Sequence, residues 1–190
     1  MDCYYSNLID HICQPLDIDQ AMRGEYSSNA KTHDLQLEAR AHIAAQRWID
    51  DGGIAAEPLS VEAVCQIHKR FCELLPSSLL LVDAGDGGRQ LAIEPGAIRT
   101  VGVQVGRHVA VSPGAVPRFL TRIEQAYKSR DQTDRILAAA CGHHRLLWVH
   151  PFLDGNGRVA RILSYVALKS ALGTRCLWSM ARGGATGEGV

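Results

Sequence analysis

A chain of 190 residues with 46% hydrophobic and 21% charged side chains is long enough for one domain with a proper core. Its 20 basic and 20 acidic residues cancel, which excludes the basic excess expected of a general nucleic-acid or membrane-surface binder. No apolar run is long enough for a transmembrane helix, and the opening MDCYYSNLID lacks the features of a signal peptide, so the expectation is a cytoplasmic protein.

LQLEARAHIAAQRWIDDGG predicts a helix from about Leu35 to Ile49, rich in Ala and Leu and stopped by Gly52-Gly53. LSVEAVCQIHKRFCELLP predicts a second. Ser60 caps it, Val61, Val64, Ile67, Phe71, Leu74 and Leu75 share one face, and Pro76 ends it. From about Asp83 to Pro113 the chain changes character. Gly85, Gly87, Gly88, Gly96, Gly102 and Gly106 crowd it, and Val101, Val103 and Val105 alternate with Gly102 and Gln104. One or two short strands, forming a hairpin, are expected there. VPRFLTRIEQAYKS then resumes the helical period, with Val116, Phe119, Leu120, Ile123 and Tyr127 on one face. A further helix runs from about Asp134 to Val149, and another begins at about Asn156 and closes at Gly173. The fold class expected is mainly α with a small β insertion. The closing ARGGATGEGV has no apolar face and is expected to be a disordered tail over 184–190. The six cysteines form no CxxC pair and are expected to be reduced thiols.

Between the last two helices lies HPFLDGNGRVAR, His150 to Arg161. Pro151 disfavours the α conformation at His150, so the preceding helix ends there. Leu153 to Gly157 turns the chain into a new helix N-terminus. Such an end carries unpaired N–H groups and partial positive charge, and glycines let the backbone close on an anion. Arg158 and Arg161 lie three apart and share a face, and guanidinium forks pair well with phosphate. Asp154 can hold a Mg²⁺ that bridges phosphates. His150, with an unperturbed pKa near neutral, can accept a proton from an attacking hydroxyl, a role typically supplying roughly 10²–10⁴ in rate. Each piece alone is ordinary: Asn156-Gly157 is a common turn, and two arginines on a helix are usually a solvated face. Adjacent His143 and His144 point to different helix faces, which argues against a metal site with His150.

The ordered set resembles the signature of the Fic family, His-Pro-Phe-x-(Asp/Glu)-Gly-Asn-Gly-Arg-x-x-Arg, with every specified position filled. The likeness extends back through IRTVGVQVGRHVAVSPGAVPRFL and forward through ILSYVALKSALGTRCLWSMARG. It implies a Fic-type helical bundle with a β-hairpin flap, as a single domain over 1–183 with its signature region at 97–173. The activity it implies is a protein adenylyltransferase, moving AMP from ATP to a Ser, Thr or Tyr hydroxyl of a target protein. By resemblance His150 is the base and Asp154 the Mg²⁺ ligand. Gly155, Asn156 and Gly157 cradle the phosphates, the Asn156 side chain included. Arg158 and Arg161 bind the β/γ-phosphates. A flap over Arg99, Thr100, Val101, Gly102 and Val103 takes the target segment as an added strand.

Many Fic proteins restrain themselves through a (Ser/Thr)-x-x-x-Glu-(Gly/Asn) element whose Glu pairs with the second arginine, here Arg161. The corresponding stretch is SSNAKT, which begins at Ser27 and puts Lys31 at the Glu position and Thr32 at the Gly position. A lysine cannot accept from Arg161 and repels it, so this element is degenerate. Glu188-Gly189 has no Ser or Thr four residues before the Glu and is no replacement. Constitutive activity, restraint by a separate antitoxin-like chain, and loss of the family's regulation all follow as expectations. So does the homodimer common in the family. Related chemistries stay open: Doc-type relatives phosphorylate, and others transfer UMP or phosphocholine. The Doc departure falls at the second glycine, and Gly157 is intact. A non-catalytic binding module is the remaining alternative.

Overall fold

The computed structural model describes residues 15–84, 88–128 and 131–173. Among the described residues six α-helices run in chain order: α1 Pro15–Arg23, α2 Ala30–Asp50, α3 Val61–Glu73, α4 Val116–Ala126, α5 Gln132–Val149 and α6 Asn156–Leu172. The mainly α expectation holds. Helix α2 starts five residues before the expected Leu35, because Asn29 caps it by accepting from the Thr32 N–H at 3.1 Å. That first turn has no apolar stripe to announce it. Ser60 caps α3 as expected, accepting from the Ala63 N–H at 3.0 Å.

α5 and α6 pack antiparallel along their length, with α3 and α2 against α6 and α4 against α5. Their apolar faces make one core in which Ile67, Leu120, Leu146, Phe152 and Leu163 are fully buried. Between α3 and α4 the chain forms two antiparallel hairpins rather than one. The first pairs β1 (Leu81–Asp83) with β2 (Gln90–Ala92), Val82 facing Leu91. The second pairs β3 (Gln104–Val105) with β4 (His108–Val109) around Gly106, whose φ of +58° suits a residue without Cβ. Val101 and Val103, expected in a strand, lie before β3 on the way into the turn. The 184–190 tail and Glu188-Gly189 lie outside the described residues.

Candidate active site

The signature joins α5 to α6. His150 is the C-cap of α5 in the left-handed region, φ +52°, not the extended backbone that the following proline alone favours. Its N–H still donates to the Leu146 carbonyl at 2.9 Å, which closes the helix while the chain turns out of it. Its Nδ1 lies 3.3 Å from the Leu147 carbonyl oxygen. A carbonyl only accepts, so Nδ1 carries the ring proton and Nε2 keeps its lone pair. Burial pushes the His150 pKa below its ordinary value. The Leu147 bond raises it, nearby Arg99 lowers it, Asp154 raises it and His108 lowers it. The net effect is a half-buried, neutral imidazole set up to take a proton.

Phe152 is fully buried and stacks on His68 with ring centroids 3.7 Å apart. His68 Nδ1 accepts the Gly96 N–H at 2.9 Å, and burial holds its pKa down at about 4, so the ring is neutral packing for the loop. Asn156 is also buried. Its Oδ1 accepts from the Phe152 N–H at 3.0 Å and its Nδ2 donates to the Phe152 carbonyl at 2.9 Å. These two bonds use the Oδ1 and one Nδ2 proton, and the amide NH2 carries a second proton. The amide thus closes the loop and keeps one donor beside the loop backbone for an anion. Gly155 caps α6 at φ +78°, and no side chain caps that helix. The first amides of α6 therefore lack a side-chain acceptor, the arrangement that takes up an oxyanion.

Arg158 and Arg161 stand on the first turns of α6. Arg161 Nη1 lies over Gly157, 3.5 Å from where a Cβ there would sit. Arg158 is 5.5 Å above the Phe71 ring and forms an ion pair with Glu38 of α2, the two side chains only 12% and 19% exposed. Lys31 is exposed in the first turn of α2, and Ser27 precedes that helix with its N–H bonded to Gln36 at 2.8 Å. Glu38, two turns beyond Lys31, is thus a carboxylate on the first signature arginine, Arg158, that the sequence alone did not single out. His42, one turn further, is fully buried against Arg158 and Arg161. Burial, then the two guanidiniums, hold its pKa down at about 3. The signal for both was their four-residue spacing on a helix that reads as ordinary core.

Asp154 is exposed beside the loop. Among the described residues no three His, Cys, Asp or Glu side chains gather as a metal-holding group. A lone carboxylate beside an anion cradle still fits Mg²⁺, which keeps most of its waters and binds through one or two carboxylates plus substrate phosphates. On the other side of His150 the two hairpins enclose a cleft of about 810 Å³. Val82 and Leu91 form one wall, Val101 to Val105 and Val109 to Ser112 the other, with His150 and Leu153 between. Thr100, Gly102 and the β3–β4 turn are exposed, whereas Arg99 is buried and does not present its side chain to a target. His143 bonds Ser164 of α6 at 2.9 Å and serves helix packing.

A family model for the Fic/DOC family matches residues 58–168, more than half of the chain and all of the site apart from α2. The chain belongs to the Fic/DOC family. It is 37% identical over 145 residues to the protein adenylyltransferase Fic of Drosophila grimshawi, covering 75% of this chain and 27% of that protein. It is 33% identical over 124 residues to protein adenylyltransferase fic-1 of Caenorhabditis elegans, covering 63% of this chain and 22% of that protein. The chain thus spans about a quarter of the length of these curated Fic relatives. Its fold matches a Fic family protein from Desulfovibrio desulfuricans G20, TM-score 0.63 at 18% identity over 89% of this chain and 47% of that one. It also matches Fic-1 from C. elegans, TM-score 0.64 at 23% identity over 90% of this chain and 48% of that one.

Proposed function

We propose that this Fic domain is a protein adenylyltransferase, moving AMP from ATP to a Ser, Thr or Tyr hydroxyl of a target protein. One observation carries the reading: His150, its Nδ1 held by a carbonyl, lines a cleft sized for a peptide and is joined by a five-residue loop to a helix N-terminus that has no side-chain cap and bears two arginines. The target hydroxyl enters from the cleft and gives its proton to His150 Nε2. Its oxygen bonds the α-phosphorus, the bond from that phosphorus to the bridging oxygen breaks, and pyrophosphate leaves. The α6 amides and the Arg158 and Arg161 guanidiniums hold phosphate oxygens, so most of the acceleration comes from placement and fixed charge. Asp154 would hold Mg²⁺, which supplies charge neutralisation on the phosphates when bound. The cleft walls carry unpaired strand edges and apolar side chains, which suits an extended target segment.

The test is incubation with α-³²P-ATP and Mg²⁺, with and without cell lysate, beside His150→Ala. Label on the protein or on a lysate band, lost in the variant, supports AMP transfer. Label from γ-³²P-ATP alone overturns it in favour of phosphoryl transfer, and a partner bound equally by both proteins without label favours a binding module.

A further inference from the structure

The flap and the catalytic histidine meet at one side chain. Arg99 is 3% exposed, and its guanidinium bonds four backbone carbonyls. Nε donates to His150 at 2.7 Å and Nη2 to Val149 at 3.3 Å, both at the end of α5. Nη1 donates to Val101 at 2.8 Å and Nη2 to Val111 at 2.5 Å, one on each leg of the flap. The Arg99 backbone N–H donates to Pro151 at 2.9 Å. A guanidinium presents five donors in one rigid plane, so a single residue can tie two segments that approach from different directions. The acceptors are neutral dipoles, and burial lowers the Arg99 pKa.

His150 needs such a tie. Its left-handed backbone is strained for a non-glycine residue, and strain of that kind persists only where surroundings over-determine it. The Arg99 bond falls on the carbonyl of the strained residue itself. We propose that Arg99 is a positioning residue that locks the flap and the His150 backbone into one unit, so that a target segment laid along the flap meets the imidazole at a fixed depth. Target docking and base alignment are then one event. The inference rests on the AMP-transfer reading for its kinetic test. Arg99 also adds positive charge beside His150, which His108 reinforces and Asp154 opposes.

Arg99→Lys and Arg99→Ala in the full chain test this, with melting curves to establish folding. Loss of alignment lowers kcat by roughly 10²-fold, the scale of a 1 Å misplacement. The KM for ATP stays within about twofold, because the phosphate-binding arginines stand on α6 and share no bond with Arg99. Lysine rescues poorly, since one ammonium cannot reach carbonyls on both sides, and methylguanidinium added to the Ala variant restores part of kcat. A folded Lys variant with wild-type kcat overturns the proposal, and so does a matched deterioration of kcat and ATP KM. If the wild-type protein transfers no AMP, that failure belongs to the function proposed above, and hydrogen exchange decides this inference. Exchange at least about tenfold faster at the Arg99 and His150 amides in Arg99→Lys, with α3 amides unchanged, supports the lock. Unchanged exchange at both overturns it.

Discussion

Glu38 and Arg158, 120 residues apart in the chain, form an ion pair across the α2–α6 interface. The guanidinium that would bind substrate phosphate already has a carboxylate. Phosphate must compete with it, and the competition is local because both side chains are largely buried. Glu38→Gln keeps the shape and removes the charge. The expected result is ATP binding about tenfold tighter, equivalent to about 1.4 kcal/mol, with faster self-labelling. Calorimetric titration with ATP and Mg²⁺ measures it, and weaker binding would show that Glu38 holds Arg158 in place instead of masking it.

Under the proposed function, proton acceptance by His150 sets the acid limb of the rate. Its pKa lies below the ordinary 6.5, chiefly through burial. The neutral form is the active one, so kcat/KM falls as pH drops through that lowered value and is still high at pH 6.5. A pH–rate profile whose acid limb falls above pH 7 would contradict this.

His42 and His68 make the fold acid-sensitive. Their folded pKa values are about 3 and about 4, below the unfolded 6.5. The unfolded chain therefore binds more protons in the window between, and stability rises with pH there. It is fully present above pH 6.5 and is lost as pH falls toward 4 and then 3, by at most about 3 kcal/mol for His68 at 1.36 kcal/mol per unit. Melting temperatures between pH 7 and 4 report the loss, and His68→Asn should flatten its part.

Asn156→Ala leaves the Phe152 N–H and carbonyl unsatisfied at a buried site. Each such loss costs about 1–3 kcal/mol, so the urea midpoint should fall clearly and labelling should fall with it. A stable but inactive variant would show instead that the remaining Nδ2 proton acts on phosphate directly.

Thiol chemistry should separate two cysteines. Burial pushes the Cys72 thiol up to about 12, with Asp154 and Glu73 adding to it, whereas Cys141 is exposed. Iodoacetamide at pH 8 followed by peptide mass mapping should find Cys141 modified and Cys72 untouched.

Much of the fold was legible because helices are local. Ser60 and the apolar stripe of α3 read directly, as did the closing Gly173 of α6, found at φ +62°. The first hairpin was missed because β1 is only three residues and its partner lies beyond a glycine-rich stretch of sequence. The start of α2 was missed because a polar first turn leaves no periodicity to see.

The sequence by itself determined the chemistry offered at the signature. Histidine, carboxylate, glycines and arginines are contiguous there, and a local turn brings them together without help from the rest of the chain. Only the tertiary structure decided how those groups are used. It tied the Asn156 amide to Phe152, put Glu38 on Arg158 and His42 beside it, and buried Arg99 between flap and His150. Those partners lie far apart in sequence or owe their meeting to packing. Their side-chain types name no partner until the buried faces of the helices close and each polar group inside must find an acceptor or a donor.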